Sequence, residues 1–300
     1  MKMSQILFIA VLLSVAEPAF GQADVSYQFT PIFYPNSLTT DAYGINNFGA
    51  VVGVVTEQGL QLGFVERSNQ YRVVHFPLSG STATSGINGR GDMVGIYSGV
   101  PCLLPTQTCG FTKIGDSFAT IAFPESVETT AAGMNNSGQV VGFYFDGARN
   151  HGFLYDAGAY TSIDYPGATN TYPAGINNAG IIVGYWDGPA KGGGFVFRNG
   201  KMKELEVPGS NGTLVTGINN LNQVVGFYAD PGGNYHGAVY ADGQVTSIDY
   251  PAATATWVLG LNDLGQLVGF YSGAGCAENL GCSFEASPSR SPSSVPSEVR

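Results

Sequence analysis

Six copies of one short pattern, set 42, 47, 42, 42 and 43 residues apart, limit this chain to very few folds. Each copy opens at a glycine: Gly44, Gly86, Gly133, Gly175, Gly217 and Gly260. Two residues later stands an asparagine in every case, at Asn46, Asn88, Asn135, Asn177, Asn219 and Asn262. Eight and nine residues after the glycine comes Val-Gly, from Val52-Gly53 to Val268-Gly269. Nine residues before it stands a proline: Pro35, Pro77, Pro124, Pro166, Pro208 and Pro251. Five residues after it stand Gly49, Gly91, Gly138, Gly180, Asn222 and Gly265. Glycine with asparagine as its one substitute marks a backbone that needs positive φ, so "NNxG" reads as the tight turn of a hairpin.

A third strand follows at Gly63, Gly110, Gly152, Gly194 and Gly237. A fourth leads into an aromatic-proline step such as Phe76-Pro77 or Tyr165-Pro166, with Val207-Pro208 the exception. Four short strands per repeat of about 42 residues match a blade of a β-propeller. The sixth repeat supplies only three strands before the chain turns into "ASPSRSPSSVPSEVR". The segment Val25 to Pro35 precedes the first repeat and ends in the same aromatic-proline step. The reading is therefore an all-β propeller of six four-stranded blades, closed by the N-terminal strand, which also removes an open edge. A linear solenoid or a pair of packed sheets is the alternative. Expected boundaries are a signal peptide over 1–23, one propeller domain over 24–285 and a disordered Ser/Pro-rich tail over 286–300.

Composition agrees with strands and turns. Charged residues are 11% of the chain, with 43 glycines, 16 tyrosines and 18 phenylalanines. The net charge of −10 argues against a nucleic-acid partner, which would require clustered Lys and Arg. At the N-terminus, Lys2, the apolar run Ile6 to Ala16 and the small-residue stretch "EPAFGQA" form a secretory signal, with cleavage after Gly21 or Ala23. The apolar run is about half the roughly 20 residues that span a bilayer. The mature chain is thus expected in the periplasm or outside the cell, without membrane insertion and as a monomer.

The combination "GINNxGxVVGxY … HGFLY … IDYPGA" resembles the HAF family of probable extracellular repeat proteins of bacteria, over about residues 25 to 285. The resemblance implies export and repeat architecture; that family brings no established activity with it. Members can end in a hydrophobic surface-sorting segment, which this tail does not contain, so surface retention and release both remain open.

Candidate sites follow from the repeat. Length varies in the loop between the second and third strands, the place where a rigid frame most readily carries function. Cys102 and Cys109 lie in one long loop, Cys276 and Cys282 in the other, and in an exported chain they read as two local disulfides, with a four-cysteine zinc site as the alternative. The aromatics Tyr97, Tyr144, Trp186, Tyr228 and Tyr271 end the second strands beside those loops. They either pack between blades or stack on sugar rings. The six asparagines either cap their own turns or ring a central channel. His151 and His236 share one repeat position and Asp164, Glu206 and Asp249 another; both sets read as structural or solvated. His75 stands apart from either set. No catalytic residue, metal site or cofactor is indicated: the chain lacks a G-x-S-x-G elbow, a phosphate loop, a calcium loop and H-E-x-x-H.

The favoured function is a noncatalytic, exported recognition scaffold for a carbohydrate or a surface protein. A polysaccharide-acting hydrolase or lyase on the same frame, and a purely structural envelope component, are the rivals.

Overall fold

The computed structural model describes residues 26–35, 37–99, 102, 108–273, 276 and 282–289. The expected signal peptide and most of the expected tail lie outside them. The described residues form a six-bladed β-propeller of four-stranded antiparallel sheets. Blades 1 to 5 occupy residues 39–74, 81–121, 128–163, 170–205 and 212–248, each a meander in chain order. Blade 4 is representative, with strands Asn170–Ile176, Ile182–Asp187, Gly192–Arg198 and Lys201–Leu205 running from the channel outward. Blade 6 takes its first three strands from Ala253–Leu261, Leu267–Gly273 and Cys282–Pro288. Its outermost strand is the N-terminal Tyr27–Ile32, paired antiparallel from Tyr27↔Pro288 to Ile32↔Ser283. The ring is latched by its own N-terminus.

The strand Cys282–Pro288 runs past the boundary that composition placed at residue 286. Ala286 is fully buried and Ser287 pairs with Gln28. Strand pairing overrides the Ser/Pro signal there, and Pro288 is tolerated because it is the last residue of the strand. Blade 6 is also tied to blade 1 by Ser283, which stands where other blades have the third-strand glycine. Its Oγ accepts from Ala42 N at 2.8 Å and donates to Thr40 O at 2.7 Å.

The repeated glycines have a steric cause. In every blade the first strand carries a bulge, for example between Pro173 and Gly175, which thrusts a carbonyl against the second strand. A β-carbon on the Val-Gly glycine would come within 1.9 Å of Asp41 O at Gly53 and within 2.2 Å of Tyr172 O at Gly184, so no larger residue fits. The motif glycines meet around the channel, where a β-carbon on Gly175 would lie 3.2 Å from the Gly217 Cα. Bare backbone lets six first strands converge.

Between blades, rings form a recurrent triad from the crossover, the third strand and the fourth strand. Tyr34, Phe64 and Tyr71 serve blade 1; Phe76, Phe111 and Phe118 serve blade 2; Phe123, Phe153 and Tyr160 serve blade 3; Tyr250, Phe284 and Phe29 serve blade 6. Each of these crossovers is pinned by a buried threonine whose Oγ1 accepts from the backbone N–H of the residue before proline, such as Tyr165 N to Thr171 at 2.9 Å. That threonine recurs at Thr40, Thr82, Thr129, Thr171, Thr213 and Thr256.

Both cysteine pairs are disulfides, Cys102–Cys109 and Cys276–Cys282. All four sulfurs are engaged, which leaves none for zinc. In the chain-entropy account each loop contributes about 2.4 kcal/mol. Two disulfides suit an oxidising compartment, extracellular or periplasmic. No described helix is long and apolar enough to cross a membrane.

Candidate functional site

At one end of the channel, the six asparagines Asn46, Asn88, Asn135, Asn177, Asn219 and Asn262 are buried to within 5% of complete. Each Oδ1 accepts two backbone N–H groups of its own turn, as Asn177 does from Ala179 at 3.1 Å and Ile181 at 3.0 Å. Each Nδ2 donates to the backbone carbonyl of the equivalent asparagine in the next blade, at 2.9–3.2 Å, and Asn262 closes the circle onto Asn46. A second circle one residue on links Asn136, Asn178, Asn220, Asp263 and Asn47. It opens at Gly89, which has no side chain to continue it. Burial raises the Asp263 carboxyl, but hydrogen bonds from Asn220 and Asn47 outweigh that and hold it below the usual carboxylate range. The cavity they surround is only about 90 Å³. The polar atoms of the inner six are engaged inside the protein.

The five strand-two aromatics sit at the opposite face, beside the loops. Tyr97, Tyr144, Trp186 and Tyr271 are buried, and Tyr228 is half-buried. Four stack on the ring of the preceding crossover: Phe76 on Tyr97 at 3.8 Å, Phe123 on Tyr144 at 3.7 Å, Tyr165 on Trp186 at 4.4 Å and Tyr250 on Tyr271 at 3.6 Å. Tyr228 has Val207 there instead, and its hydroxyl bonds Ser247 at 2.7 Å. Blade-to-blade packing thus takes most of this aromatic surface.

Two grooves, of about 570 and 460 Å³, flank blade 4. They occur where Met202 and Val245 replace the fourth-strand ring of the triads, and at the second one the third-strand residue is Ala238. The repeat closes its other interfaces with phenylalanine or tyrosine and leaves these two open.

On the loop face, blades 3, 4 and 5 each carry a basic side chain between acids beside the strand-two ring. In blade 3, His151 is the cross-strand partner of Tyr144 and stacks on it at 5.0 Å. Its Nδ1 lies 2.9 Å from Asp164 and its Nε2 3.1 Å from Asp146, while Arg149 reaches Asp164 at 3.7 Å. In blade 5, His236 stacks on Tyr228 at 5.3 Å, with Asp249 at 2.9 Å and Asp230 at 3.5 Å. In blade 4, Lys191 lies 5.7 Å over Trp186, 2.8 Å from Glu204 and 3.5 Å from Glu206. In sequence these histidines and carboxylates are two separate repeat positions. The structure joins them within each blade, and the signal was the spacing of 13 residues shared by His151/Asp164 and His236/Asp249. His75, by contrast, meets a hydroxyl, Ser79 Oγ at 3.3 Å.

Backbone N–H groups of Arg149 and Ala148, with His151, hold the Asp146 carboxyl at about 2. Asp230 is held at about 2 by the side chain and backbone of Asn234, against a small opposing effect of burial and with help from His236 and Gly232. Burial lowers His236, but Asp249 and then Asp230 outweigh it and raise the imidazole above its ordinary 6.5. The His236 pair therefore stabilises the fold fully below about pH 6.5, and that contribution fades as pH rises through the raised folded value. The Asp146 and Asp230 contributions hold above about pH 4 and fade toward pH 2. An NMR titration of the imidazole Cε1–H of His236 should give a midpoint above 6.5 that falls in Asp249→Asn; an unchanged midpoint would show that the ion pair is not populated in solution.

No protein-family profile and no curated protein matches the chain. Solved structures do. TolB from Acinetobacter baumannii aligns with a TM-score of 0.54 at 11% identity, over 85% of this chain and 65% of that one. The β-propeller domain of the Trilobed protease from Pyrococcus furiosus, described as having an open velcro topology, aligns at 0.51 and 10% identity, over 85% and 94%. Aleuria aurantia lectin, solved in complex with Fucα1-6GlcNAc, aligns at 0.50 and 11% identity, over 87% and 99%. Identities this low establish the fold alone.

Proposed function

We propose that this chain is an exported, noncatalytic recognition scaffold that binds carbohydrate on the face bearing the loops between second and third strands. The observation that carries the reading is the recurrence, on three consecutive blades of that face, of a basic side chain and carboxylates beside an aromatic ring. Such a grouping offers hydrogen-bond donors, acceptors and an apolar surface together, which is what a sugar presents in return. Export is supported by the two disulfides, by the signal-like N-terminus and by the resemblance of the repeat to extracellular HAF repeats. A lectin is among the solved proteins that share the fold.

The hydrolase alternative is less well supported. Glycoside cleavage needs a carboxylic acid kept protonated opposite a carboxylate. Of the acids beside the strand-two rings, the two with a resolved shift, Asp146 and Asp230, are both held down near 2. They are built to stay charged.

The test is a thermal-shift screen of the mature chain under nonreducing conditions against neutral and acidic oligosaccharides. A ligand at 100 times its Kd adds about 2.7 kcal/mol. A concentration-dependent rise in Tm is expected, and no rise with any glycan would overturn the reading.

A further inference from the structure

We infer that the groove between blades 4 and 5 is a binding site for a small anionic molecule with a flat apolar body. Arg198 and Lys203 hold the anion, and the body fills space that aromatic rings take in other blades. The inference goes beyond the carbohydrate reading and does not depend on it.

The repeat shows why the groove exists. Crossover, third strand and fourth strand each give a ring in blades 1, 2, 3 and 6, whereas blade 5 has Val207, Ala238 and Val245 at those three positions. Ala238 is the sharpest departure, because the residue there is Phe64, Phe111, Phe153, Phe195 or Phe284 in the other blades. Tyr240 takes back part of the space, in one buried cluster with Ala238 and Val224. What is left is about 460 Å³, within the range of small-molecule sites. Ile181, Val196, Leu205, Ile218, Val224 and Val245 are its apolar lining. Val245 is exposed, and Val196, Leu205 and Ile218 are half-buried, so the groove is open to solvent.

The charges at its mouth are unbalanced. The chain has 12 Lys and Arg against 22 Asp and Glu, yet Arg198, Lys201 and Lys203 stand exposed together in one hairpin of blade 4. Arg198 and Lys201 are directly opposed across two strands, where like charges destabilise a sheet, and Lys203 follows on the same face. Arg198 and Lys203 both line the groove, and among the described residues none of the three cations has an ion pair. Glu204 and Glu206 line it too, but Lys191 takes both. The blade 5 wall adds one acid, Asp242, which among the described residues pairs with none of them. Lysine on an outer strand often serves only to block edge pairing. Arg198 belongs to the third strand, so that role leaves it unexplained.

These features select one ligand class. A carboxylate or sulfonate can take a forked pair of bonds from the Arg198 guanidinium and another from the Lys203 ammonium. A cation is repelled there, and a small inorganic anion leaves the apolar walls uncovered. A ring buries its faces against those walls, as the triad rings do in other blades.

The probes are three naphthalenes alike except in charge, naphthylacetate, naphthylethanol and naphthylethylamine, with inorganic sulfate as the anion alone. Calorimetry gives affinity, and the methyl ¹H–¹³C NMR signals of Val224 and Val245 give position. Naphthylacetate should bind at least about tenfold more tightly than the other three, the equivalent of one charge-assisted hydrogen bond. Added salt should narrow its lead over the alcohol. Lys203→Gln and Arg198→Gln, both at exposed positions, should each weaken it by about threefold or more. Val245→Phe, which installs the ring that blade 2 has as Phe118, should close the groove and weaken binding by about tenfold or more. Val245 is exposed, so this variant should fold; should it not, the two charge variants still decide the question. Equal affinity for naphthylacetate and naphthylethanol, or binding untouched by both charge variants, would overturn the anion site. Sulfate as tight as naphthylacetate would overturn the apolar body. Binding with the Val224 and Val245 methyl signals still would overturn the groove. No binding of naphthylacetate at about 1 mM would overturn the whole inference. Each of these outcomes leaves the carbohydrate reading to its own screen.

Discussion

A chain that begins at Tyr34 is expected to lose its cooperative thermal transition near that of the mature protein, with Tm lower by roughly 10–20 °C if it folds at all. The truncation deletes the strand Tyr27–Ile32, and with it the outer edge of blade 6. Ile32 is buried, and Phe29 supplies the third ring of the blade 6 triad, 5.2 Å from Tyr250 and 5.3 Å from Phe284. Burying two such side chains is worth roughly 1.5–3 kcal/mol each. The hydrogen bonds of the six-residue ladder add to this, so the total loss is on the order of 5 kcal/mol or more, a large part of the stability of an ordinary domain. The exposed edge of Cys282–Pro288 should then recruit other chains, seen as oligomers by size-exclusion chromatography with light scattering. A synthetic peptide covering residues 24–35, added in trans, should restore the monomer. If scanning calorimetry shows the same Tm with and without residues 24–33, the latch does not hold the ring.

That latch was legible in sequence because the aromatic-proline step at Tyr34-Pro35 repeats the one that follows every other fourth strand except that of blade 4. Strand number, the turn glycines and the disulfide pairs were legible for the same reason: each depends on a local pattern that recurs at a fixed period. What depended on cross-strand register was not. His151 meets Tyr144 and Asp164 only because of how three strands align, and a one-residue slip would put them on opposite faces. The grooves at Met202 and Val245 had a signal, the loss of an aromatic six residues before the proline, but that position is visible only once the triads are. The strand end at Pro288 was hidden because composition measures propensity, while pairing with Tyr27–Ile32 decides the outcome.

Asn177 provides the second large effect and separates two roles that sequence left open. Its Oδ1 caps the turn through Ala179 N and Ile181 N, while its Nδ2 donates to Asn219 O in blade 5 at 3.2 Å and to Asn222 Oδ1 at 3.0 Å. Asn177→Ala deprives the buried Ile181 N–H and the part-buried Ala179 N–H of their acceptor, and takes from the Asn219 carbonyl one of its two donors, Asn222 N being the other, at roughly 1–3 kcal/mol for each group that water cannot reach. A loss of about 2–4 kcal/mol, measured by urea unfolding, is expected on that basis. Asn177→Asp is the sharper variant. An aspartate caps a turn about as well as asparagine, so a purely local role would leave it close to the wild type. The bond between blades requires a donor, and a carboxylate has none; at pH 7 it would instead aim a negative charge at the Asn219 carbonyl. Asn177→Asp should therefore lose most of what Asn177→Ala loses at pH 7. Buried against an acceptor, the new carboxyl should have its folded pKa raised above the ordinary value. Stability should then be regained as pH falls through that raised value, because the protonated acid can donate to Asn219 O, with the gain complete below about pH 4. Wild-type stability for Asn177→Asp at pH 7 would reduce the ring of asparagines to six independent caps. A loss reversed by acid would establish that the blades are joined to one another through them.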